Sequence, residues 1–126
     1  GAGRLFELGC AEISLGDTIG RGTPEAVDTM LATVLSDIDA AKLAGHFHDT
    51  SGRALENIAV GLDRGLRVFD ASTGGLGGCP YAPGAAGNVD TLAVNAFLQK
   101  RGFSTGLDAA KLDRAAAFAR SLRSAT

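Results

Sequence analysis

Short apolar runs that end in polar residues alternate along the chain with stretches of helical period, the pattern of parallel strands joined by crossover helices. The first strand is predicted over 12–17, Glu-Ile-Ser-Leu-Gly-Asp, closing on Asp17. After the turn at Gly20-Arg21-Gly22, Thr23 is placed to cap a helix with Pro24 at its first position. In that helix Val27, Met30, Leu31, Val34, Leu35 and Ile38 form an i, i+3, i+4 stripe. A second strand is predicted over 43–49, followed by a helix from about Gly52 with Leu55, Ile58, Ala59 and Leu62 on one face, ending at Gly65.

A third strand is predicted over 66–72, then an irregular loop over 73–87. Asn88 can cap a helix that runs to Lys100 and stops at Gly102, and a last helix over 107–122 would bury Leu112, Ala115, Ala119 and Leu122. Arg4 to Leu8 reads as the tail of a further helix. The order is βαβαβ with trailing helices, an α/β fold in one partial domain over 1–126. Three parallel strands are too few to be covered on both faces, so the pattern predicts part of a larger sheet or barrel.

Composition narrows the function. The 126 residues include 18 glycines, 45% are apolar, and 12 Lys and Arg stand against 14 Asp and Glu, a net charge of −2. No basic cluster is denser than Lys100-Arg101, so nucleic acid and anionic membranes are not expected partners. No apolar run approaches the roughly 20 residues of a membrane span. The first residues lack the apolar core of a secretory signal, which points to a bacterial cytoplasm, with a mitochondrial matrix as the alternative. In such a compartment Cys10 and Cys79 are expected to stay reduced, with Cys10 a small buried hydrophobe.

The chemistry gathers at one end of the predicted sheet. In His46-Phe47-His48 a strand would turn both imidazoles to one side and Phe47 to the other. Asp17 ends the first strand, the histidines end the second, and Gly75-Leu76-Gly77-Gly78-Cys79-Pro80-Tyr81 follows the third. Active sites of α/β barrels and open parallel sheets lie at that edge. Each piece also has a plain structural reading. The histidines can be two polar strand residues, Asp17 a turn residue accepting backbone N–H bonds, and Asn88 only a helix cap. Asp70, in mid-strand, is expected to pair with a neighbouring polar group and receives no role. The glycine run lacks the Lys-Ser/Thr of a phosphate-binding loop.

Three segments together are more specific. Glu12-Ile13-Ser14-Leu15-Gly16-Asp17-Thr18-Ile19-Gly20, His46-Phe47-His48-Asp49-Thr50 and Gly75-Leu76-Gly77-Gly78-Cys79-Pro80-Tyr81-Ala82, with Gly84-Ala85-Ala86-Gly87-Asn88-Val89 after them, closely resemble the 3-hydroxy-3-methylglutaryl-CoA lyase family. Order and spacing are kept from about residue 4 to residue 110. The pair Thr73-Gly74 departs from the family's usual Val-Ala type.

The resemblance implies the C-terminal portion of a (β/α)₈ barrel, about three βα units plus trailing helices, with half or more of the parent enzyme outside this sequence. It implies that His46, His48 and Asn88 are ligands of Mg²⁺ or Mn²⁺. Cys79 would be the general acid or base on a closing loop, with Asp17, and His46 beside it, assisting proton transfer. The substrate would be an acyl-CoA, cleaved to acetoacetate and acetyl-CoA in leucine degradation or ketone-body formation. An aspartate, an arginine and a glutamate of the family's site have no counterpart here, so the segment alone is expected to be inactive. Association with further copies is expected. Two other readings stay open: a lyase for a longer branched 3-hydroxyglutaryl-CoA, and a noncatalytic metal-binding or assembly fragment.

Overall fold

The computed structural model describes residues 1–77 and 86–124. Its elements are helix α1 (Ala2–Glu7), strand β1 (Ile13–Asp17), helix α2 (Pro24–Leu35), strand β2 (Leu43–Phe47), helix α3 (Ala54–Asp63), strand β3 (Val68–Asp70), helix α4 (Thr91–Lys100) and helix α5 (Ala109–Ser124). The strands form one parallel sheet in the order β1-β2-β3. Gly16 lies beside His46, and His46 beside Asp70, so one lateral row crosses all three strands.

The two sheet faces differ as the strand pleat requires. On one, Ile13, Leu43 and Phe47 join Val27, Leu31, Ile58 and Leu62 of α2 and α3 in the buried core. Gly45 and Gly61 make this packing possible: a Cβ on either would stand 3.0 Å or less from the Phe69 ring, which fills the gap between sheet and α3. The opposite face carries Ser14, His46, Val68 and Asp70.

The capping chemistry of α2 is as the sequence predicts, with Thr23 Oγ1 accepting from Ala26 N at 3.2 Å and Pro24 in the first turn. The helix stops at Leu35, and Ile38 reaches the core from the turn beyond it. In α3 the buried face is Ala54, Asn57, Ile58, Gly61 and Leu62, so of the predicted stripe only Ile58 and Leu62 lie fully inside. Asp49 opens this helix, its Oδ1 accepting from Ala54 N at 3.2 Å.

Several boundaries differ from the sequence reading for identifiable reasons. Strand β2 ends at Phe47, because the next residues leave β1 and turn to the segment 86–90: His48 forms an isolated bridge with Asn88, and Asp49 N donates to Gly87 O. Strand β3 starts late because Leu66 N is used in closing α3, donating to Gly61 O after the left-handed Gly65. It ends early because Ser72 pairs with the 89–91 backbone instead of with β2.

Asn88 does not cap α4. The N-cap is Asp90, whose Oδ1 accepts from Gly74 N at 3.0 Å. In α5 the buried residues are Ala116 and Ala119, while Ala115 and Leu122 are exposed. The helix rests on the turn Thr73–Gly75, where a Cβ on Gly74 would meet Ala116 O at 3.2 Å and Ala119 Cβ at 3.3 Å. Only small residues allow that approach, and they fix which side faces inward. Cys10, expected inside, is free and exposed, because it follows Gly9 in the tight turn that closes α1.

Candidate active site

At the carboxyl end of β2 the chain places two imidazoles on one face, ring centroids 5.2 Å apart and edge to face. Each is held by its Nδ1. That of His46 lies 3.1 Å from Asp70 Oδ2, and that of His48 lies 3.1 Å from the main-chain oxygen of Asp17. A carboxylate and a carbonyl only accept, so each Nδ1 carries a proton, and a neutral ring then keeps its lone pair on Nε2.

Asn88 arrives from the far side. Its Nδ2 donates to Leu76 O at 3.1 Å and to Gly77 O at 3.5 Å, which fixes the amide's orientation. Its Oδ1 is buried and has no hydrogen-bond partner among the described residues. A buried amide oxygen without a donor is costly unless something else satisfies it. The main chain brings it beside His48 through the bridge between the two residues.

Asp17 reaches the same rim through its backbone, as partner of His48. Its carboxylate turns away to the loop behind, accepting from Arg21 N at 3.2 Å and Gly22 N at 2.8 Å. The turn-residue reading of Asp17 therefore describes its contacts. Asp70, given no role from sequence, pairs with His46 and also accepts from Ser14 Oγ at 3.4 Å. The residues around Cys79, 78–85, lie outside the described residues. The structure thus brings together His46, His48, Asn88 and the backbone of Asp17, and adds Asp70.

This donor set fits a hard divalent cation: two imidazole nitrogens that coordinate when the rings are neutral, and one amide oxygen without a partner among the described residues, all oriented by hydrogen bonds on their other atoms. Among the described residues no group of three or more His, Cys, Asp or Glu side chains comes together to hold a metal. Further oxygen ligands would have to come from elsewhere.

Parallel βα units with polar donors at the strands' carboxyl ends, about three units long with trailing helices, fit a segment of a (β/α)₈ barrel. The HMGL-like family profile matches residues 2–119, and the chain belongs to that family. Hydroxymethylglutaryl-CoA lyase of Pseudomonas mevalonii is 52% identical over 107 residues, 85% of this chain and 36% of the relative. The crystal structure of HMG-CoA lyase from Brucella melitensis superposes with a TM-score of 0.95 at 62% identity, over 98% of this chain and 44% of that one. An HMG-CoA lyase from Acinetobacter baumannii, solved with coenzyme A and 3-methylmalate, superposes with a TM-score of 0.84 at 38% identity, over 93% of this chain and 38% of that one. The chain thus spans about a third of the length of the relative from Pseudomonas mevalonii.

Proposed function

We propose that this chain carries the cation-binding rim of a carbon–carbon lyase that cleaves 3-hydroxy-3-methylglutaryl-CoA to acetoacetate and acetyl-CoA. The observation that carries the reading is the pair His46 and His48 at one strand end, bridged through the main chain to Asn88, whose buried Oδ1 has no partner among the described residues. Family membership and the coenzyme A complex of the Acinetobacter baumannii relative support an acyl-CoA substrate.

His46 and His48, through Nε2, and Asn88, through Oδ1, would hold Mg²⁺ or Mn²⁺. When bound, the cation supplies Lewis acidity toward the substrate hydroxyl and a template that orients the bond to be broken. The remaining steps fall to residues of the chain. Asp17, whose carboxylate here accepts from Arg21 N and Gly22 N, would turn toward the rim to take the proton of the tertiary hydroxyl, with His46 beside it. The bond between that carbon and the carbon next to the thioester breaks, leaving the ketone of acetoacetate and the enolate of acetyl-CoA. Cys79 returns one proton to the enolate carbon, and after product release Asp17 gives up its proton to solvent while solvent reprotonates the Cys79 thiolate, so protons balance over the cycle. Its Gly-rich loop suits a lid that keeps water from the intermediate. We place the reaction in the bacterial cytoplasm, in an enzyme that works as an assembly of copies.

Acetoacetate release from 3-hydroxy-3-methylglutaryl-CoA by the full-length protein tests the reading. Activity that needs Mg²⁺ or Mn²⁺ and falls by at least about 100-fold in Cys79→Ala is expected, the lower range for a proton-transfer group. Turnover that survives both chelation and that substitution would overturn it.

A further inference from the structure

We propose that Asp70 is a positioning residue that commits His46 to present Nε2, and no other atom, to the cation, and that Ser14 holds Asp70 in place for this. The inference rests on the reading of His46 as a cation ligand given above.

The arrangement follows from sheet register. Asp70 on β3 lies beside His46 on β2, and Ser14 on β1 lies beside Ala44 on β2. One oxygen, Asp70 Oδ2, accepts from both His46 Nδ1 at 3.1 Å and Ser14 Oγ at 3.4 Å. The link from Ser14 to Asp70 therefore passes over β2, where Ala44 is small enough to leave room. The three strands are tied together on the face that carries the imidazoles.

Stability does not account for this pair. The side chains of His46 and Asp70 are 34% and 51% exposed, and ion pairs so open to water contribute little to folding. Orientation does account for it. A free neutral imidazole carries its proton on either nitrogen, and a ligand with the proton on Nε2 presents no lone pair to the cation. Fixing the proton on Nδ1 removes that loss and makes the ring a better donor. His48 is fixed differently, by the main-chain oxygen of Asp17, which no substitution at position 17 removes. The two imidazoles are thus unequal: His46 is backed by a carboxylate that mutation can change, and His48 by the backbone.

Two measurements on the full-length protein test this, with Asp70→Ala, Asp70→Asn and Ser14→Ala beside wild type. In metal-free, ¹⁵N-labelled protein at a pH where imidazoles are neutral, two-bond ¹H–¹⁵N spectra report which ring nitrogen is protonated. His46 is expected to be protonated on Nδ1 in wild type and to become a mixture of tautomers in Asp70→Ala. Asp70→Asn, whose amide oxygen can accept the same bond, restores it, and Ser14→Ala gives a smaller change. His48 stays protonated on Nδ1 throughout.

In calorimetric titration with Mn²⁺, Asp70→Ala is expected to bind about 10–100-fold more weakly, the usual effect of losing a partner of a metal-bound histidine. Its melting temperature should stay close to that of wild type. A His46 tautomer unchanged in Asp70→Ala overturns the role given to Asp70, whatever the metal does. Wild type that takes up no Mn²⁺, with the tautomer shift still present, overturns the cation reading and leaves the hydrogen-bond assignment standing.

Discussion

Gly87 threads the segment 86–90 between two backbones. Its carbonyl accepts from Asp49 N, while Asn88 N donates to Gly77 O. A Cβ at this position would stand 2.2 Å from Gly75 O and 3.0 Å from both Gly77 O and Leu76 C, all main-chain atoms that cannot rotate away. Gly87→Ala should therefore destabilise the protein by about 1–3 kcal/mol, the range for overpacking a closed site. It should also weaken Mn²⁺ binding by displacing Asn88. Gly3→Ala, in helix α1 with nothing within 4 Å of the added Cβ, is the control, neutral or stabilising by up to about 1 kcal/mol. Urea unfolding of both variants checks this, and an unchanged midpoint for Gly87→Ala would refute the packing argument. None of it is legible in the local sequence, where Gly87 is one glycine among many. The close approach is created by residues 75–77, which follow the turn after β3, and the segment around Gly87 ten to twelve residues on. His46 and His48 were legible because alternation along a single strand is a local property. Asp70 finds the polar partner expected of it, but which partner depends on the register of three strands, and Asn88 is no cap because the helix starts at Asp90, whose carboxylate makes no capping bond and accepts from Gly74 N instead.

Helices α2 and α3 show which features of an element the sequence can carry. Thr23, Pro24 and the stripe at Val27 and Leu31 specify α2 through backbone capping and period, and both appear as read. The inward side of α5 is legible only in part, with Ala119 buried as expected but Ala116 in place of Ala115 and Leu122 exposed, since in an Ala-rich helix several faces look equally apolar and the choice falls to the glycine turn it meets at Gly74. Between α2 and α3 local pattern carries no sign of the fork in which Arg64 Nε donates to Asp28 Oδ1 at 2.7 Å and its second guanidinium nitrogen to Asp28 Oδ2 at 3.0 Å. The hydrogen bond from Arg64 holds the Asp28 carboxyl below its ordinary value against the opposing effect of desolvation, and the guanidinium charge adds a lesser lowering. The same bond raises Arg64. A carboxyl lowered on folding stabilises the fold above its unfolded-state value, and that contribution is lost as pH falls through the lowered, folded-state value. Arg64 stays charged across this window. Wild type should therefore melt slightly above Asp28→Asn at neutral pH, and the two curves should converge as pH drops through the acidic range. Because both groups face water, added salt should narrow the gap at neutral pH. Melting temperatures against pH at two salt concentrations test this, and a gap that widens toward acid would contradict it.

Among the described residues β1 and β3 each pair with β2 alone, so the sheet has two open edges. The face bearing Ser14, His46 and Asp70 also leaves Val68 40% exposed. Parallel sheets are normally covered on both faces, and unpaired strand edges invite pairing with another chain. Leu8, Phe118 and Leu122, 68%, 65% and 53% exposed, add apolar surface away from the sheet. The α/β class, the strand order and the rim that gathers the histidines were legible because they follow from alternation and from the parallel topology it demands. How an open sheet is completed was not, since that depends on surfaces that no strand of this sequence supplies. The 126-residue polypeptide by itself should associate, its mass by light scattering rising with concentration, and should release no acetoacetate from 3-hydroxy-3-methylglutaryl-CoA. Val68→Lys, which sets a charge on both the open face and the β3 edge, should lower that association without unfolding the core, because the Val68 side chain is already half in water. A polypeptide that stays monomeric at every concentration would mean that the open edges are blunted by their own twist and polar residues. In that case the barrel's remaining strands would be needed for chemistry alone, and adding them should restore turnover without changing the melting temperature of this segment.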